Sequence, residues 1–261
     1  MTRLLKSDFY RLLKSKLSII TMIIAVVLPL LATLMIYVIG LLLESIDPES
    51  AGLIGGQVLI ASCFSFTNNF GIILPIFAAI FIMLDISSGT VRNKTILGYN
   101  RYQIYASHFI VTLTYCLVGI ALYAGMTLAF SSLILGTIEL TEAQLISYVY
   151  YFILGFISFA LVASIATFFS LSTLNSAGSV ILTLATCLVI GLVSSILSFF
   201  NFSGNEVVSH ILRFIPCYLT GVFATSQIDS IMFIEGLAGI IIFTAIFYIL
   251  GNVIFYRRDL K

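Results

Sequence analysis

Long apolar runs separated by short polar segments dominate the pattern along the chain. Each run reaches or exceeds the roughly 20 residues that a helix needs to cross a bilayer. The pattern predicts six transmembrane helices, at residues 17–43, 58–84, 103–136, 142–170, 176–200 and 231–255. At 1.5 Å per residue the third run is about 51 Å long. We therefore expect it to tilt, or to project beyond a hydrocarbon core of roughly 30 Å.

Basic residues are distributed unevenly over the ends of these runs. Of the 12 lysines and arginines, all except Arg213 lie before the first run, between the second and third, or after the sixth. An excess of Lys and Arg near span ends marks the cytoplasmic side of a membrane. We therefore expect a multi-pass protein with both termini in the cytoplasm. The expected location is a cell membrane, with the bacterial plasma membrane as the specific hypothesis.

Three segments outside the runs have patterns of their own. In residues 1–16 the apolar residues recur at helical spacing and the basic residues occupy the other positions. This pattern predicts an amphipathic helix lying in the membrane interface. Residues 85–107 form the one sizeable cytoplasmic loop of this topology. Residues 201–230 are too polar to span and contain Pro216, which predicts a helical hairpin dipping into the outer leaflet. Together these features predict an all-α integral membrane protein with a single transmembrane domain, residues 1–261.

Composition agrees with this reading and excludes several functions. Hydrophobic residues make up 61% of the chain and charged residues 9%, compared with roughly 25% charged in a soluble domain. A soluble catalytic domain has no room, and a net charge of +1 gives no sign of nucleic-acid binding. The four cysteines have no CxxC spacing, and neither His108 nor His210 has a ligand-spaced partner. No metal site is therefore predicted.

The chemistry that the runs lack favours one class of transport over others. No charged residue lies near the middle of a predicted span, where ion-coupled carriers commonly place their relay groups. An intramembrane enzyme needs a nucleophile, a base or metal ligands facing one cavity, and no suitable group is found at membrane depth. The phosphate-binding GxxxxGK[ST] loop is also missing. These observations predict a non-catalytic transport subunit, with a secondary carrier or an intramembrane enzyme as alternatives.

The loop at residues 85–107 carries the most informative local pattern. Gly89 and Gly98 bracket residues 90–97, a stretch long enough for about two helical turns. A short helix beneath the membrane suits docking into a partner's groove. The alternative is an ordinary basic loop anchored at the interface. In the docking hypothesis the apolar anchors are Val91, Ile96 and Leu97, and the polar rim is Arg92 and Lys94.

The order of these elements resembles that of the permease subunits of type-2 ATP-binding-cassette exporters, which export antibiotics, lantibiotics, polysaccharides and peptides. The likeness covers essentially the whole chain as an order of elements. It rests on the basic N-terminal helix, the acidic-x-x-x-Gly-Thr element at 85–90, the Asn-Arg-x-x-Ile element at 100–104 and the hairpin before the last span. Family members usually have glutamate where this chain has Asp85.

The resemblance implies a complex of two permeases, identical or different, with two cytoplasmic ATPase subunits that bind ATP and Mg²⁺. This chain would then need no cofactor of its own, and residues 90–97 would act as the coupling helix. The implied ATPase-coupling residues are Asp85, Gly89, Thr90, Val91, Arg92, Lys94, Ile96, Leu97 and Arg101. A pathway between the permeases would be lined in part by Ser65, Thr67, Asn68 and Asn69, for which hydrogen bonding between helices is the alternative role.

Substrate chemistry is predicted only in outline. The outer loops are small, and the chain contains 22 Phe and 13 Tyr. We expect a hydrophobic or amphipathic compound, such as a peptide, an antimicrobial or a lipid-like molecule. Self-immunity, in which the complex removes a toxic peptide from its own membrane, is a variant of the same function. Membrane lipid is an expected partner throughout.

Overall fold

The computed structural model describes residues 1–44, 56–67, 69–136, 142–173, 175–199, 206–222 and 228–257. These residues form eleven α-helices and no β-strand, which confirms the all-α fold class. The helices are α1 (Thr2–Lys14), α2 (Lys16–Glu44), α3 (Gly56–Ser62), α4 (Asn69–Ser87), α5 (Thr90–Ile96), α6 (Arg101–Ile134), α7 (Glu142–Thr173), α8 (Ser176–Phe199), α9 (Glu206–Arg213), α10 (Tyr218–Val222) and α11 (Ser230–Arg257).

Six of the described helices are long and apolar enough to cross a membrane, namely α2, α4, α6, α7, α8 and α11. Five of them lie within a few residues of the predicted runs. The second predicted span, 58–84, differs because it is not one continuous helix. α3 ends at Ser62 and α4 begins at Asn69. With 19 residues, α4 is about 28 Å long and nearly matches the hydrocarbon core by itself.

Helices α4 and α7 form the centre of the bundle. Of the most apolar part of each, 56% and 61% of the residues are buried. The corresponding fractions are 22% in α2, 22% in α8 and 17% in α11. α7 packs against α4, α6, α8 and α11, whereas α2 packs mainly against α6. The three less buried helices therefore expose broad apolar faces.

The break between α3 and α4 is packed tightly into the bundle. Phe64 and Phe66 are fully buried in it. A Cβ at Gly71 would lie 1.9 Å from the carbonyl oxygen of Ser65, closer than any side chain allows. Only glycine therefore lets the first turn of α4 approach the backbone of the broken segment so closely.

Hydrogen bonds from side chains accompany the break. The Tyr151 hydroxyl of α7 donates to the carbonyl oxygens of Ile60 and Ala61, at 2.9 Å each. The hydroxyls of Ser65 and Thr67 lie 2.9 Å apart. Non-helical backbone inside a membrane bundle must find its polar partners within the protein or in a water-filled cavity. Tyr151 supplies such a partner at the end of α3.

The remaining elements are found at the two ends of the bundle. At one end α1 packs against α2 and α6, and α5 packs against α4 and α6. Arg101 Nη1, at the start of α6, donates to the carbonyl oxygen of Tyr256 in the last turn of α11 at 3.0 Å. We call this the basic end, because most of the predicted cytoplasmic Lys and Arg residues belong to these segments. At the opposite end, α9 packs against α10 and α11, and α10 packs against α3.

Candidate functional site

The short helix α5 lies at the basic end and begins and ends in tight turns. It covers residues Thr90–Ile96, one residue fewer than the predicted 90–97. Gly89 has a φ of 69° and Gly98 a φ of 85°. These left-handed conformations are open to glycine at little cost but strained for residues with a Cβ. The two glycines therefore allow the chain to reverse on both sides of α5.

One face of α5 is buried and the other is exposed. Val91 and Lys94 are only 3% and 5% exposed. Ile96 and Leu97 are 74% and 75% exposed, and Arg92 is exposed as well. The placement of Val91 among the docking anchors and of Lys94 in the polar rim is therefore corrected, because both side chains pack within the chain itself.

Lys94 is buried because it forms an ion pair with α1. Its Nζ donates to both carboxylate oxygens of Asp8, at 2.7 and 2.9 Å. The hydroxyl of Ser107 in α6 donates to the same carboxylate at 2.6 Å. Burial lowers the pKa of Lys94 from its ordinary value, and the hydrogen bond and charge of Asp8 oppose that shift. Three separate elements, α1, α5 and α6, thus share one buried carboxylate.

A second ion pair lies beside the first. Arg11 of α1 donates to the carboxylate of Asp85, near the end of α4. Between the two pairs is His108 of α6, with Nδ1 3.7 Å from Asp85 Oδ2 and Nε2 3.5 Å from Lys94 Nζ. Asp85 and His108 are each 2% exposed. We call these five side chains with Ser107 the ion cluster, and it joins α1, α4, α5 and α6.

The other predicted coupling residues have separate contacts. Thr90 is half-buried, with its hydroxyl 2.8 Å from that of Ser88. Arg101 contacts the end of α11, as described above. The structure therefore brings Asp85 and Lys94 together in the ion cluster, and places Arg101 against a different helix.

The predicted pathway residues lie around the break between α3 and α4. Ser65 and Thr67 are half-buried there. Asn69 begins α4, and its side chain, like the whole of Asn68, lies outside the described residues. A lining role for these four residues stays a prediction.

Sequence reasoning missed four members of the ion cluster, namely Asp8, Arg11, Ser107 and His108. Asp8 occupies the buried stripe of α1 between Leu4 and Leu12, at the i, i+4 spacing of one helix face. One acidic residue in an apolar stripe was the available signal. Ser107 and His108 carried no comparable signal, because their partners lie on other helices.

In the ion cluster each of the two carboxylates has a basic partner, Lys94 for Asp8 and Arg11 for Asp85. Among the residues that the structure describes, no group of three or more His, Cys, Asp or Glu could hold a metal ion. The cysteines at 63, 116, 187 and 217 are buried and free.

Over the residues that the structure describes, the chain is thus an all-helical protein with six apolar helices of membrane-spanning length. No model of a known protein family matches the chain, and no curated protein matches it either.

Proposed function

We propose that the chain is the membrane permease of an ATP-driven exporter whose ATP hydrolysis occurs on a separate ATPase subunit. The observation that carries the proposal is the two-faced helix α5. Its exposed side ends in Ile96 and Leu97, 74% and 75% exposed. Exposed large apolar side chains on a short helix suit insertion into a groove of a partner protein. Arg92 lies beside them and would contribute a polar rim.

The buried side of α5 supplies the second half of the mechanism. Lys94 links α5 to α1 through Asp8, and Asp8 is hydrogen-bonded to Ser107 of α6. Asp85 links the end of α4 to α1 through Arg11. A push on the exposed face of α5 would therefore reach two membrane-crossing helices and α1 together. In this mechanism the chain transmits force, and ATP and Mg²⁺ are bound by the partner.

The proposal also predicts what surrounds the basic end and the exposed apolar faces, and what kind of compound is exported. The basic end, with both termini, would face the cytoplasm of a cell whose membrane the six helices cross. The exposed apolar faces of α2, α8 and α11 leave room for a second permease and for lipid. The exported compound would be hydrophobic or amphipathic, such as a peptide or an antimicrobial, and protection of the producing cell would be one use of such export.

The test is to disrupt the exposed face of α5 without touching its buried face. In the double variant I96D/L97D, we expect the complex purified in mild detergent to lose its ATPase subunit. We also expect ATP-dependent uptake of a labelled hydrophobic peptide by inside-out vesicles to fall to background. Surface substitutions away from special contacts usually change stability by less than about 0.5 kcal/mol, so the variant should remain folded.

The matched control is L133D, because Leu133 is 80% exposed at the far end of α6. We expect L133D to keep the ATPase subunit and the uptake activity. Retention of both by I96D/L97D, or equal losses in L133D, would rule out docking through α5.

A further inference from the structure

An apolar groove of about 440 Å³ lies between α6, α7 and α11. Seven of its nine lining residues are Ala, Ile or Phe, and the other two are Thr244 and Tyr248. The Thr244 hydroxyl already donates to the carbonyl oxygen of Ile240 at 2.7 Å. Ala245 and Ile241 are exposed at the rim, so the groove is open to the surroundings of the bundle. Water would find few polar partners there, whereas an alkyl chain fits the lining.

A pair of tyrosines marks the end of the groove that lies towards the basic end. Tyr102 precedes the lining residues Ala106 and Phe109 by four and seven residues, which places all three on one face of α6. Tyr256 lies two turns beyond Tyr248 on α11. The rings of Tyr102 and Tyr256 stack with centroids 4.8 Å apart, and they are 49% and 52% exposed. Half-exposed tyrosines at a span end are typical of the membrane interface.

Two arginines lie next to the tyrosine pair. Arg101 precedes Tyr102, and its Nη1 reaches the Tyr256 carbonyl oxygen. Arg257 follows Tyr256 and is exposed. Guanidinium groups bind phosphate through parallel, charge-assisted hydrogen bonds. The apolar groove therefore lies about two helical turns further into the bundle, along α6 and α11, than Arg101 and Arg257.

We propose that this groove binds an acyl chain of an anionic phospholipid whose phosphate lies against Arg101 and Arg257. From the interface inwards the protein presents arginine, then tyrosine, then the apolar groove. This order matches the headgroup, glycerol backbone and acyl chain of one phospholipid. The lining helices α6, α7 and α11 are all of membrane-spanning length, so lipid is the medium at the open rim. The proposed lipid site includes no residue of the ATPase-docking face of α5.

The experiment uses the full-length protein in phosphatidylcholine vesicles with a trace of phosphatidylglycerol that carries a photoactivatable acyl chain. We expect cross-links in the segments of α6 and α11 that line the groove. A245F should fill the groove from its exposed rim and remove most of this labelling. I242F is the matched control, because Ile242 is 50% exposed on the same helix and does not line the groove.

The headgroup contact is tested separately. We expect R257Q to lower the preference for phosphatidylglycerol over phosphatidylcholine by about fivefold, the effect of one arginine near an anionic surface. Equal labelling of A245F and I242F would overturn the proposal. So would equal competition by unlabelled phosphatidylcholine and phosphatidylglycerol in the wild-type protein. Complete displacement of the lipid by a hydrophobic peptide would also overturn the proposal, because it would assign the groove to peptides of that kind.

Discussion

The two ends of the bundle use charge in different ways. At the basic end the Lys94 and Asp8 side chains are only 7% and 3% exposed. At the opposite end Glu235 of α11 pairs with Arg213 and His210 of α9, and these side chains are 17%, 17% and 50% exposed. Loss of one partner leaves an uncompensated buried charge in the first case and a partly exposed charge in the second. Charge should therefore hold the basic end together and contribute little at the other.

Close backbone packing is the stronger restraint towards the opposite end. Gly71 lies directly against the backbone of Ser65, and the Tyr151 hydroxyl shares its single hydrogen between the carbonyl oxygens of Ile60 and Ala61 at the end of α3. Such contacts do not depend on the ionic strength or pH around them. The basic end, by contrast, is joined through side chains that lie far apart in sequence. A linkage of that kind can transmit movement between helices that have few other contacts.

The largest expected effect is that of D8N. It removes the negative charge opposite buried Lys94, and loss of one partner of a buried ion pair costs about 3–5 kcal/mol. We expect a lower midpoint of thermal unfolding for the purified protein in detergent, and faster proteolysis of α1. K6Q is the control on the same helix, because Lys6 is exposed.

The double variant D8N/K94M sharpens this prediction. With both charges removed, the buried site holds no unpaired ion, so part of the lost stability should return as a coupling energy between the two positions. If D8N unfolds at the same temperature as K6Q, the buried pair does not hold the basic end together.

A smaller effect is expected for G71A, which tests close packing in the other half of the bundle. The new Cβ would meet Ser65 oxygen at 1.9 Å, and overpacking of this kind costs about 1–3 kcal/mol. The control is G125A in α6, where a Cβ meets nothing within 4 Å. This substitution should stabilise the helix by about 0.5–1 kcal/mol. Both are read from thermal unfolding in detergent. Equal midpoints for the two variants would show that the break does not depend on this contact.

The smallest effect is expected for E235Q. Partly exposed ion pairs contribute about 0–1 kcal/mol, and added salt should reduce even that difference. The measurement is the unfolding midpoint of E235Q and wild type at low and high ionic strength. A loss as large as that of D8N would remove the distinction between the two ends.

The fold could be predicted to the level of six apolar helices because bilayer thickness sets a minimum length for each run. The break in the second run could not. Residues Cys63, Phe64 and Phe66 continue the apolar pattern, and a tight contact such as that of Gly71 depends on which backbone lies opposite. Ser65 and Thr67 belong to the predicted pathway residues, and in the structure they lie in the non-helical segment between α3 and α4.

The candidate site was predicted in part for a similar reason. Gly89 and Gly98 are local signals, and they delimited α5 to within one residue. Which side of α5 is buried depends on Asp8, 86 residues earlier in the chain. No local pattern contains that information. Lys94 therefore resembled any other surface lysine until its partner was known.

The sequence separation between Asp8 and Lys94 also sets an order of assembly. Lys94 is synthesised 86 residues after Asp8, which at roughly 5–20 residues per second is an interval of about 4–17 s. During that time α2, the membrane-spanning helix that follows α1, can enter the membrane while Asp8 still lacks its lysine. Because Lys94 follows α4 in the chain, the contact between α1 and α5 can form only after translation has passed the second membrane-crossing helix.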